Sequence, residues 1–221
     1  SMGHRALVAY ERADGLYNVH YSHWGAANLQ LKGCISSATP FGGEDTDSKW
    51  ARNFMAALAD GLDTDAIGGY LAEPHPTGTL VEPDPIAIGC SREEILTVYL
   101  DFLHHEAYFE VSRQFEVTGY RTLWFGLQYE CDAVDEGETV GNGALTTVRW
   151  YDGEPVGDGY LRGQFQGLKD VVGDMIDRGV FSESIARRYM MEKLAEWIGA
   201  RQELVIPTAE SAPTSSSDRQ S

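Results

Sequence analysis

Two short segments of this chain carry residues that could do acid–base or metal chemistry. The first is His20-Tyr21-Ser22-His23-Trp24-Gly25, the densest polar and aromatic cluster in the sequence. Imidazole titrates near neutrality and is a common metal ligand. Two histidines three apart can face one ion only if a strand ends between them; on a continuous strand they point to opposite sides. The second segment is His104-His105-Glu106, at the end of an apolar run. A histidine there can simply satisfy the last carbonyls of a helix. If the two segments meet in space, His20, His23, His104 and His105 become ligands for a metal such as zinc or manganese. Glu106 would then serve as a further ligand or as the group that orients an imidazole. The spacing is not His-Glu-x-x-His, so no known zinc motif supports the idea.

Arg113 is the third candidate. It interrupts an otherwise apolar strand face, and a buried arginine needs an acceptor. It is expected either in an internal ion pair, at an edge, or as an anion-recognition residue in a pocket. The partner strand starts at Arg121, so two guanidiniums could lie near one end.

Other motifs carry less. Glu130-Cys131-Asp132-Ala133-Val134-Asp135-Glu136-Gly137-Glu138 lacks EF-hand spacing and reads as a solvated acidic loop. Gly163 and Gly167, four apart on an expected helix, suggest close packing rather than a phosphate loop, since no Gly-Lys-Ser/Thr follows. Cys34, Cys90 and Cys131 form no Cys-x-x-Cys pair and are expected to be buried apolar side chains.

The composition bounds the rest. The chain has 34 Asp+Glu against 17 Lys+Arg, a formal net charge of −17 over 221 residues, and its cations are mostly arginine. At 1 M salt the Debye length falls to ~3 Å, so such a surface no longer repels itself. The balance fits a protein adapted to concentrated salt, and it argues against direct binding to nucleic-acid phosphates. Disorder is excluded by Trp 5, Tyr 11 and Phe 8. No apolar stretch is long enough to span a membrane and no leader is recognisable, so a cytoplasmic protein is expected. Ser1 before Met2 has the look of a residue left after tag removal.

These residues must be positioned by regular elements. Residues 5–22 read as a hairpin turning at Asp14-Gly15, with Tyr17, Val19 and Tyr21 alternating against a polar face of Asn18, His20 and Ser22. A helix is expected over 49–60, capped by Asp47 or Ser48. A proline-rich connection follows over 73–86. The capping box Ser91–Glu94 opens a helix expected to reach His105 and to be buried on all sides. Alternation then predicts strands over 109–117 and 122–130, turning at Thr118-Gly119, and a third over 145–151. Two helices, 161–178 and 183–198, precede a flexible tail from Pro207 onward. The expected architecture is one α+β domain over 2–206, with an antiparallel sheet of about five strands packed against helices, one of them a buried central helix.

The start, Met2-Gly3-His4-Arg5-Ala6-Leu7-Val8-Ala9-Tyr10-Glu11-Arg12, followed by residues 17–26, resembles a family of uncharacterised haloarchaeal proteins over most of 2–206. That resemblance implies no activity, cofactor or catalytic residue. Function therefore rests on the residues. The first expectation is a binding or interaction protein, working with a protein partner or as a homodimer. The alternative is a metal-dependent or acid–base hydrolase, with a histidine-lined pocket acting on a small anionic substrate. A third is an acidic mimic of nucleic acid.

Overall fold

The computed structural model describes residues 3–43 and 49–208. The chain opens on the predicted hairpin, β1 (Ala6–Glu11) and β2 (Tyr17–Ser22). The Asp14 carboxylate accepts the Leu16 amide to close its turn. Two short helical turns, the second being α1 (Leu31–Cys34), lead to α2 (Lys49–Asp60). The expected caps of α2, Asp47 and Ser48, lie outside the described residues. Next come α3 (Thr64–Ala72), the proline-rich stretch, β3 (Ala87–Cys90) and α4 (Arg92–Glu94). A π-helical turn, Ile95–Tyr99, precedes β4 (Ala107–Val111) and β5 (Val117–Trp124). Then follow β6 (Gly143–Thr147), the β7 (Arg149–Tyr151) and β8 (Glu154–Val156) ribbon, α5 (Asp158–Asp177), α6 (Glu183–Trp197) and β9 (Leu204–Val205).

Among the described residues, seven strands form one sheet in the order β3-β2-β1-β4-β5-β6-β9. Every pairing is antiparallel except β1 with β4. The fold is α+β as expected, with two more strands in the sheet than the five read from sequence. The additions are β3 and β9, both at edges, and too short to alternate visibly.

Both faces of the sheet are covered. Ala6, Val8, Tyr10, Phe109 and Val111 pack against Phe54, Met55 and Leu58 of α2. Leu7, Ala9, Val19, Tyr108 and Leu145 point the other way and meet Ile95, Leu96 and Leu100. A third cluster joins Leu123, Phe125 and Ala144 to Phe165 and Val172 of α5 and to Met190 and Leu194 of α6. Among the described residues no helix is long and apolar enough to cross a membrane.

Four local expectations are corrected. The buried central helix does not reach His105: it ends at Tyr99, and Leu100 is already extended. The Asp101 carboxylate accepts the amides of Leu103 and His104, and a side chain that bonds its own backbone in this way competes with helix. Nor is the segment buried all round, since Val98 is exposed. The turn of the second hairpin lies at 112–116, not at Thr118-Gly119, because the Ser112 hydroxyl accepts the amides of Gln114 and Glu116. The strand after it stops at Trp124, and the one expected over 145–151 divides into β6 and β7.

The polar face of β2 is the fourth. It reads as a wet face, yet Asn18, His20 and Ser22 are buried. Each bonds backbone from a segment distant in sequence: Asn18 Nδ2 donates to Leu58 O, His20 Nδ1 to Glu82 O, and Ser22 Oγ to Leu80 O, while the buried His20 Nε2 has no partner among the described residues. Buried polar groups require such partners. These bonds tie the stretch around 80–82 onto the sheet, where Val81 is fully buried.

Candidate functional site

The residues of interest gather at one end of the sheet. Because β4 begins where the antiparallel β5 ends, Glu106 lies near Thr122, whose hydroxyl donates to His105 O. Because β1 runs parallel to β4, His4 and Arg5 come to the same end, and the Glu106 amide donates to Arg5 O. There His4 Nδ1 lies 2.8 Å from Glu106 Oε2. The two segments singled out from sequence do approach: the His105 ring is 6.5 Å from that of Tyr21, and the Tyr21 hydroxyl is 2.9 Å from His23 Nδ1.

The histidines nevertheless do not share a centre. His20 is fully buried between Tyr10 and Phe41. Its Nδ1 must carry the proton, since a carbonyl can only accept, and burial pulls its pKa down to about 4. His105 accepts the Asp101 amide at Nδ1, and burial likewise lowers its pKa to about 4. His104 turns outward onto the Asp101 carboxylate at 2.8 Å. His23 stands edge-on to Trp24. Among the described residues no three of His, Cys, Asp and Glu are placed to hold a metal ion.

Glu106 instead belongs to a cleft of about 240 Å³ between this end of the sheet and α5. Arg162, Gln166 and Lys169 line its helical wall. Their spacing of four and three residues puts them on one face of a helix. Lys169 is the unusual member. It is buried 3.4 Å from the equally buried Glu130 and sits 4.7 Å from the centre of the Trp124 ring. Burial lowers its pKa, an effect the Glu130 carboxylate opposes. Gln166 Nε2 donates to the same Glu130 oxygen, while Glu130 Oε2 has no partner among the described residues. The acidic loop is thus anchored at its first residue rather than fully solvated. At its other contact, Asp177 accepts the amides of Asp132 and Ala133.

Sequence reading missed Lys169, Arg162 and Gln166, although their helical spacing was visible. It assigned that helix's glycines to packing instead; Gly163 and Gly167 face open space. Arg113 lies elsewhere, exposed in the 112–116 turn on the rim of a second cleft. The expected second guanidinium, Arg121, is in the interior on Asp158 Oδ2 at 2.6 Å. Cys90 and Cys131 are buried as expected, and burial raises their thiol pKa values, whereas Cys34 is only half-buried.

No curated protein and no solved structure matched the chain. The sequence pattern of a family of unknown function, DUF6735, matches residues 2–206, and the chain belongs to that family.

Proposed function

We propose that the protein is a binding domain for a small, compact anion, held in the cleft between the sheet end and α5 and adapted to work in concentrated salt. The observation that supports this reading is the Arg162–Gln166–Lys169 stripe lining one wall of the cleft. In a chain with twice as many acids as bases, Arg162 has no ion pair among the described residues, while Lys169 is held by Glu130 and the Gln166 amide by Glu130 and Asp170. Guanidinium and ammonium donors recognise carboxylate and phosphate oxygens. A cleft of about 240 Å³ suits a ligand smaller than the drug-sized molecules of typical pockets. Calorimetry with inorganic phosphate tests it. Binding is expected in the wild type and weakens about tenfold in Arg162→Gln, the worth of one charge-assisted hydrogen bond. Absence of binding, or equal binding by the variant, would reject the reading.

A second reading, acid–base hydrolysis of that anion, is favoured by the His4–Glu106 contact. With Nδ1–H donated to the carboxylate, the imidazole presents an unprotonated Nε2 that can take a proton from water. His20 and His105 are poor candidates for this near neutrality, since a pKa of about 4 makes each a weak base. Turnover of p-nitrophenyl phosphate or acetate, abolished in Glu106→Gln while phosphate binding persists, is the expected result. Turnover unchanged in that variant would exclude the dyad.

A further inference from the structure

The second cleft, of about 270 Å³, lies between α2 and the 112–116 turn. Arg52, Met55, Ala56 and Ala59 of α2 form one wall. Their spacing of three, one and three residues makes a single helical stripe. Arg113 and Phe115 of the turn form the other wall, with Tyr10 of β1 also contributing.

Two features of this cleft are unexplained by the fold. First, neither Arg52 nor Arg113 has an ion pair or hydrogen bond among the described residues, although carboxylates outnumber cations two to one in this chain. Second, Phe115 holds a φ of 60°, a left-handed conformation that bulky side chains avoid. The Ser112 hydroxyl fixes the turn in that shape by accepting two amides. The result is an aromatic ring packed partly against the core and partly along the cleft. Strained backbone of this kind concentrates at ligand sites.

We propose that this cleft binds a small monocarboxylate with an apolar body. The carboxylate is held by Arg52 and Arg113, and the body lies on Met55, Ala59 and Phe115. A single negative charge is specified by what else lines the cleft. Glu11 and Asp60 also reach it, and Asp60 lies ~12 Å from Arg52 along the helix axis at 1.5 Å per residue. A second anionic group in the cleft would meet these carboxylates. The site shares no lining residue with the α5 cleft, so the two are separate sites.

The test is calorimetric titration of the full chain with hexanoate, and separately with hexanol and hexylamine. Wild-type protein is expected to bind hexanoate about tenfold or more tighter than either control. Arg52→Gln and Arg113→Gln should each lose about tenfold in hexanoate affinity. Both arginines are exposed, so their replacement leaves the core intact, and an unchanged thermal midpoint verifies that. Phosphate binding should be unaffected in both variants, which separates this site from the α5 cleft. No hexanoate binding by the wild type, equal affinity in the variants, or hexylamine binding as tightly as hexanoate would each overturn the proposal.

Discussion

Individual side chains divide here into those that hold the molecule and those that could act. His20 belongs to the first group. Its folded pKa of about 4 lies below the ordinary histidine value, so the unfolded chain binds the extra proton first as pH falls. Its stabilising contribution is therefore complete above about pH 6.5 and is lost progressively toward pH 4. At ~1.4 kcal/mol per pH unit of difference, the loss is on the order of 3 kcal/mol. An NMR titration should show the His20 imidazole uncharged until the pH approaches 4; a midpoint near 6.5 would mean that the ring is not buried. The Lys169–Glu130 pair makes a second prediction. Replacing Lys169 with Met strands a buried carboxylate and should cost about 3–5 kcal/mol in urea unfolding, whereas Lys169→Met with Glu130→Gln should recover most of that. Equal losses in the single and double variants would show that the charges are not coupled. Which polar residues are buried could not be read from the hairpin sequence. Alternation shows that Asn18, His20 and Ser22 share a face, but whether water or Leu80, Glu82 and Leu58 carbonyls meet that face depends on segments far away in the chain.

At the scale of elements, α5 and α6 are the parts most fully specified locally. Ser182 accepts the Ile185 amide as the N-cap of α6, and Ser182→Ala should lower stability by ~1 kcal/mol. The position of α5 against the acidic loop depends on Gly173. A Cβ there would come within 2.5 Å of the Glu130 carbonyl oxygen, a backbone atom that cannot step aside. Gly173→Ala should therefore destabilise by roughly 1–3 kcal/mol and displace Glu130 from Lys169. A crystal structure of the variant, or loss of the Lys169–Glu130 coupling in the double-variant comparison, would register the shift. The helix expected to reach His105 illustrates the limit of element reading. Its apolar residues suit helix and core alike, and it ends early because Asp101 captures two backbone amides. That capture is a local competition in which composition favours neither side. The same holds for the turn at 112–116, where Ser112 outweighs the alternation of Phe115.

For the whole molecule, a net charge of −17 repels itself, and screening that repulsion favours the compact state. The thermal midpoint should rise steeply as KCl goes from about 0.1 M toward 1 M, while the Debye length shrinks from ~10 Å to ~3 Å, and then level off. A midpoint independent of salt would contradict the adaptation inferred from composition. The acidic charge balance, the α+β class, the first hairpin, α2, α5 and α6 were all determined by the sequence itself, because charge count, periodicity and caps are local or additive properties. The sheet order, the parallel β1–β4 contact that carries His4 to Glu106, and the separation of His20 from His105 were decided only by the tertiary structure. So was the conversion of one helix face, Arg162, Gln166 and Lys169, into the wall of a cleft. Each of these depends on which distant segments pack together, and that is settled by the joint burial of both sheet faces rather than by any single stretch of residues.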